Sequence, residues 1–202
     1  MLAALPWTWG ASTSAGAEGL VAGASITGMI ALGLAWIGRH AEGTMRIRDA
    51  LVIVTLGWLS AGVLGSLPYI LSGAIVNPID ALFESVSGFT TTGSTILTDI
   101  EALPRGIHFW RVTTHWLGGL GIVVIFVALF PQLGVGAKHL FKSEVPGPIT
   151  EGLRPKIKQT ALALWWIYVG LTALETLLLW ACGLSVFDAL AHAMSNIATG
   201  GF

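Results

Sequence analysis

Charge is scarce in this chain of 202 residues. Lys and Arg number 10 and Asp and Glu number 11, so charged residues are 10% of the total, where a soluble domain carries about 25%. Together with the chain's high apolar content, that excludes a disordered chain, a coiled coil and almost any soluble enzyme. With a net charge of −1 and no dense Lys/Arg patch, nucleic-acid binding through a basic surface is excluded as well. The single cysteine, Cys182, rules out a disulfide framework and a cysteine-built metal site. No His/Asp/Glu cluster, nucleophile motif or phosphate loop stands out, so an enzyme is the weakest reading. What is abundant is apolar: 54% of residues are hydrophobic, mean hydropathy is +0.77, and there are 26 glycines. The class is an all-α integral membrane protein, and the glycines point to close helix packing or non-helical backbone within the membrane.

A helix rises 1.5 Å per residue, so about 20 apolar residues cross a ~30 Å hydrocarbon core. Four stretches qualify: Gly19 to Gly38, Ala50 to Ser72, Val112 to Phe130 and Thr160 to Cys182. Met1 to Glu18 does not read as a signal peptide, because it lacks a basic start and Pro6, Trp7 and Trp9 interrupt it. Arg39, Arg46 and Arg48 lie between the first two spans, and Lys138, Lys142, Arg154, Lys156 and Lys158 between the last two. The positive-inside rule makes both loops cytoplasmic. The segment with Asp80, Glu84, Asp99 and Glu101, the N-terminus and Phe202 then face outside. Arg105 and Arg111 are read as capping the outer end of the third span.

The outer segments repeat. Asp80 to Gly93 aligns without a gap to Asp188 to Gly201 at an offset of 108. Identical pairs are Asp80/Asp188, Ala81/Ala189, Leu82/Leu190, Ser87/Ser195, Thr91/Thr199 and Gly93/Gly201. Each copy follows an outward-running span, so the repeat is parallel, not inverted. Each reads as a short helix, Ile79 to Gly88 or Phe187 to Ile197, with Asp80 or Asp188 as N-cap or first-turn acid. About ten helical residues reach only ~15 Å, half the core. A half-length helix followed by a Thr/Gly loop fits a re-entrant hairpin, which is tolerated only where it is buried in protein or lines water. The loops Phe89 to Ser94 and Ile197 to Phe202 carry no charged side chain, leaving carbonyls and Thr hydroxyls as ligands. Carbonyl rings replace the hydration shell of an alkali cation. Gly93 and Gly201 permit the positive φ that turns carbonyls toward one axis, and the negative C-terminal helix end favours a cation. The expectation is a cation pore, with K⁺ leading. The plainer reading, an external amphipathic helix with a Gly/Thr turn, is weakened by the repeat.

At these residues the sequence resembles a family. Phe83 to Thr95 resembles the first pore loop of the TrkH-type potassium uptake proteins, within the Trk/Ktr/HKT superfamily. Trp116 to Val124 and Leu133 to Gly136 are similar to that family's next helix and its cytoplasmic end. Glu144 to Pro148 with Arg154-Pro155 resembles its cytoplasmic linker, and Ile197 to Phe202 its second filter loop. The resemblance implies repeated helix–re-entrant pore loop–helix units, potassium-channel-like in build. It implies residues 1–49 as an extra helix with a cytoplasmic loop, 50–135 as a first unit, 136–158 as a linker and 159–202 as a second unit. The implied potassium-binding filter is Thr91, Thr92, Gly93, Thr199, Gly200 and Gly201, with K⁺ as the transported ion and no organic cofactor. A homodimer, a cytoplasmic regulatory subunit with nucleotide-binding domains, surrounding membrane lipid and the bacterial cytoplasmic (inner) membrane follow from the same resemblance. The family has four units in one chain, so the chain is expected to be incomplete. Two loops cannot enclose a cation on four sides, and the isolated chain is not expected to conduct as a monomer.

Glu175, mid-span, is either a coupling carboxylate of a secondary transporter or a Glu that is buried against a polar neighbour or protonated. His115 is read as interfacial packing, and His192 occupies the repeat position of Glu84. Gly118, Gly119 and Gly121 are read as permitting close helix approach. Trp7, Trp9, Trp36, Trp58, Trp110 and Trp180 are read as interfacial anchors. Gly93 and Gly201 are expected to be equivalent, and Thr95, just past the loop, to matter little.

Overall fold

A computed structural model describes residues 1–8, 14–39, 47–129 and 157–201. The linker expected at 136–158 lies almost wholly outside the described residues, as do Arg46, Trp9, the Leu133 to Gly136 and Glu144 to Pro148 motifs, Arg154 and Phe202. A 3-10 helix, Leu2–Thr8, precedes α1 (Ser14–Gly38), α2 (Ile47–Leu71), α3 (Pro78–Phe89), α4 (Arg105–Leu129), α5 (Ile157–Ala181) and α6 (Val186–Ile197). The four long helices have 25 residues each, or ~37 Å at 1.5 Å per residue, enough to cross a bilayer. The third expected span starts earlier than its apolar run, at Arg105, because Pro104 opens the helix and Ile107 and His108 donate back to its carbonyl.

The long helices alternate in direction. Gly19 of α1 abuts Ser72, and Gly23 abuts Pro68, near the end of α2. Gly65 of α2 meets Trp110, and Trp58 meets Gly121, so α2 and α4 are antiparallel. Trp116 bonds Thr172, and Gly119, three residues on, lies against the hydroxyl of Tyr168, four residues back, so α4 and α5 are antiparallel too. It follows that α2 and α5 run the same way, as a parallel repeat requires. Their outward faces are apolar: Leu32 and Ile37 of α1 are both 72% exposed, the surface that lipid covers. Trp36 and Trp180 lie on that surface as interfacial anchors would. Trp110 does not; it is buried, and its indole N–H donates to the Gly65 carbonyl at 3.0 Å. Trp7 is turned inward as well, against Phe109 and Phe187. An indole buries more area inside than at an interface, provided its N–H finds a partner.

The short helices are built alike. Each has 12 residues, starting at 78 or 186 and ending at 89 or 197, which keeps the offset of 108. Their N-caps are Asn77 and Ser185, whose side chains accept from Ile79 N–H and Asp188 N–H. Asp80 and Asp188 are therefore first-turn acids, not caps; a cap must have extended backbone, and only Asn77 and Ser185 do. The preceding spans end at 71 and 181, an offset of 110, so the second connector is two residues shorter. Gly183, at φ +101, closes α5 with Gly183 N–H on the Trp180 carbonyl and Leu184 N–H on the Leu179 carbonyl, a Schellman end. In the first connector Gly73 N–H likewise reaches the Ile70 carbonyl, but it is Ile75, one residue later, that reaches Tyr69. An extra residue, Ala74, is bulged into that turn.

Candidate functional site

Both short helices end in the same backbone knot. Thr91 N–H donates to the Gly88 carbonyl at 3.0 Å and Thr92 N–H to the Ser87 carbonyl at 2.9 Å. Thr199 N–H donates to the Asn196 carbonyl at 2.8 Å and Gly200 N–H to the Ser195 carbonyl at 3.0 Å. Every partner shifts by 108. These are Schellman ends, whose left-handed position usually holds glycine. Here it holds Thr91, at φ +54, and Thr199, at φ +56. A β-branched residue there is strained by about 1–2 kcal/mol. Two residues on, Gly93 at φ +76 and Gly201 at φ +70 are left-handed again, while Thr92 and Gly200 between them are not. Alternating handedness turns successive carbonyls to the same side of the chain, the carbonyl counterpart of the N–H nest. Six residues singled out in the sequence thus fall into two copies of one conformation.

The two copies touch. A Cβ built on Gly93 would collide with the Gly200 carbonyl oxygen. Gly200 in turn lies against the imidazole of His115. His115 is completely buried on α4, which corrects its reading as an interfacial residue: it backs the second loop. Among the described residues, none lies within 4 Å of a Cβ built on Gly201.

α4 is the wall that both loops lean on. A side chain at Gly118 would strike the Phe89 carbonyl, and one at Gly119 would lie 2.6 Å from the Tyr168 hydroxyl and 3.1 Å from Ala198 Cα. A Cβ on Gly121 would come within 3.3 Å of the Trp58 ring. The three glycines let α4 approach the end of α3, the end of α6 and both neighbouring spans, as their small size suggested.

Behind the first loop lies a charged pair. Arg111 Nε sits 2.6 Å from Glu84 Oε1, and both side chains are fully buried. Thr95 Oγ1 donates to the same carboxylate, at 2.9 and 3.0 Å from its two oxygens, and Ile96 N–H donates at 3.2 Å. Arg111 therefore pairs inside the bundle instead of capping the outer end of a span. Arg105, at the start of α4, stays near that end, over the Phe187 ring at 5.8 Å. The second loop has no ion pair at its anchor among the described residues; Asn196 Nδ2 donates to Glu175 Oε1 at 2.9 Å. Glu175 thus has the polar neighbour of its plainer reading, but it is half-buried, not buried. Sequence reasoning missed the Glu84–Arg111 pair. The available signal was a carboxylate and a guanidinium, each well inside an otherwise largely apolar helix and past its first turn.

Comparison with known proteins points one way. The TrkH family profile, described as "Cation transport protein", matches residues 20–202. The Trk system potassium uptake protein TrkH of Halomonas elongata is 49% identical over 166 residues, covering 81% of this chain and 34% of the relative. TrkH of Escherichia coli K12 is 45% identical over 169 residues, covering 83% and 35%. The crystal structure of the potassium transporter TrkH from Vibrio parahaemolyticus superposes with a TM-score of 0.81 at 34% identity, covering 100% of this chain and 40% of that one. The chain spans about a third of the length of the curated relatives it matches. Its helix–loop–helix build, its apolar spans and these matches agree: the chain belongs to the TrkH family, as a multi-pass protein of the bacterial cytoplasmic membrane.

Proposed function

We propose that this chain contributes to a pore that takes up K⁺ across the cytoplasmic membrane, with Thr91, Thr92, Gly93, Thr199, Gly200 and Gly201 as its ion-facing residues. The observation that carries this reading is the meeting of two loops in one backbone conformation, Gly93 against the Gly200 carbonyl. Aligned carbonyls can replace the water around an alkali cation and still release it, because each dipole is weaker than a full charge. α3 and α6 end at the loops, so their negative ends add to the attraction. The strain at Thr91 and Thr199 fits a binding stretch, since such backbone concentrates at ligand clamps. The named relatives are potassium uptake proteins, which favours K⁺ over other cations.

In this reading 50–135 and 159–202 belong to two successive pore units, 1–49 is an added helix with its loop, and 136–158 is a cytoplasmic linker. The loops face outside. The assembly is a homodimer in lipid with a nucleotide-binding regulatory subunit on the cytoplasmic side. A transporter coupled through Glu175 is disfavoured, because its carboxylate is engaged by Asn196.

The test is K⁺ and Na⁺ uptake by the full chain, with its assembly partners, in cells lacking other K⁺ uptake. Gly93→Ser should lower the K⁺ over Na⁺ preference about tenfold, the effect of a 1.4 kcal/mol shift in relative site energy. Full selectivity in Gly93→Ser at normal membrane abundance would make Gly93 a turn residue and end this reading.

A further inference from the structure

The stretch after Gly93 has no regular structure of its own: residues 92–97 belong to no helix or strand. Yet three consecutive residues of it are fastened to one face of α3. The Ser87 hydroxyl donates to the Ser94 carbonyl at 2.5 Å, and the Glu84 carboxylate takes Thr95 Oγ1 and Ile96 N–H. Glu84 and Ser87 are three residues apart, so they lie one above the other on the helix. Arg111 then locks the carboxylate to α4.

A buried ion pair is weak evidence for stability, because desolvating two charges costs about as much as their attraction returns. Its distinctive capacity is geometric. A carboxylate whose two oxygens serve an arginine, a hydroxyl and a backbone N–H can hold those groups in only one arrangement. The second unit lacks this device at the matching positions: Ser195 repeats Ser87, but Glu84 is replaced by His192, which is exposed.

We propose that Glu84, Arg111, Thr95 and Ser87 form a strut behind the first loop that sets its cation preference by fixing where the carbonyls of residues 91–93 stand. The proposal rests on the reading of those residues as ion-facing. The four are positioning residues, since none of them is assigned to touch the ion. Thr95, which the sequence placed outside the loop's business, becomes the link between loop and carboxylate. Without its hydroxyl the loop keeps the carbonyls but loses the tie that holds them at K⁺ spacing, and the smaller Na⁺ is discriminated against less.

Thr95→Val keeps the side-chain shape and removes the donor, while Thr95→Ser keeps the donor. The readout is the ratio of K⁺ to Na⁺ uptake by the full chain in its native assembly, normalised to protein in the membrane. Thr95→Val should lower the ratio about tenfold and Thr95→Ser should restore it to within about twofold, tenfold being 1.4 kcal/mol of relative site energy. Ser87→Ala should lower it less, in the same direction. A purely structural role would change abundance and leave the ratio alone, so a wild-type ratio in Thr95→Val overturns the strut while leaving the pore reading intact. If Thr95→Val does not reach the membrane, Ser87→Ala decides instead, and an unchanged ratio there overturns the inference. If the unsubstituted chain takes up neither cation, the pore reading fails and the strut fails with it.

Discussion

The two loops share a backbone and differ in what holds it. The first is backed by a fully buried ion pair and by side-chain bonds to residues 94, 95 and 96. The second is backed by a histidine ring against Gly200 and by an amide–carboxylate bond near the helix end. Backbone conformation is thus the repeated quantity, and its support differs: α3 and α4 hold the first loop, α4 and α5 the second. A duplicated segment can keep its function-bearing main chain while each copy recruits different neighbours to brace it.

Removing one partner of the buried pair should break the comparison hardest. Glu84→Ala or Arg111→Met leaves a lone buried charge, for which about 3–5 kcal/mol of destabilisation is typical. Membrane abundance and thermal stability in detergent should both drop sharply. Replacing both partners with apolar residues should recover most of the stability. Gly93 sharpens the comparison next. Gly93→Ala meets both a left-handed backbone, at about 1–2 kcal/mol, and the Gly200 carbonyl. Cation selectivity should therefore fall in Gly93→Ala, and an unchanged ratio at normal membrane abundance would mean that the loops do not touch. Glu175→Gln keeps an acceptor for Asn196 and should cost at most about 1 kcal/mol, visible as a small fall in melting temperature with uptake intact. Smallest of all, Thr91→Gly and Thr199→Gly should each raise stability by up to about 1 kcal/mol, by relieving the strained position. Equal gains would show that the two Schellman ends are energetically alike despite their different bracing.

What the sequence disclosed follows from short-range signals. Spans emerge from runs of apolar residues, and the half-helices and loops from the pattern within each fourteen-residue copy of a repeat at an offset of 108. The capping residues, Asn77 and Ser185, lie three positions before the more conspicuous acids Asp80 and Asp188. The burial of Trp110, His115 and Arg111 depends on α4 lying against α2, α3 and the second loop. No periodicity within α4 encodes that, since its polar and aromatic residues would equally suit a span end at the membrane surface. Glu84 and Arg111 are 27 residues apart; their partnership was open to inference only from the cost of leaving either charge alone in an apolar setting.

The unequal connectors have a practical consequence. Two residues were gained or lost between span and half-helix without disturbing the 108-residue register of caps, helix ends and loops. The turn after Leu71 is therefore a seam where length is negotiable. Lengthening a six-residue link to eight costs only about 0.3 kcal/mol of closure entropy. Val76, 79% exposed beside the Asn77 cap, marks the spot. A short peptide handle inserted there should leave uptake untouched and give a site for labelling the protein in living cells.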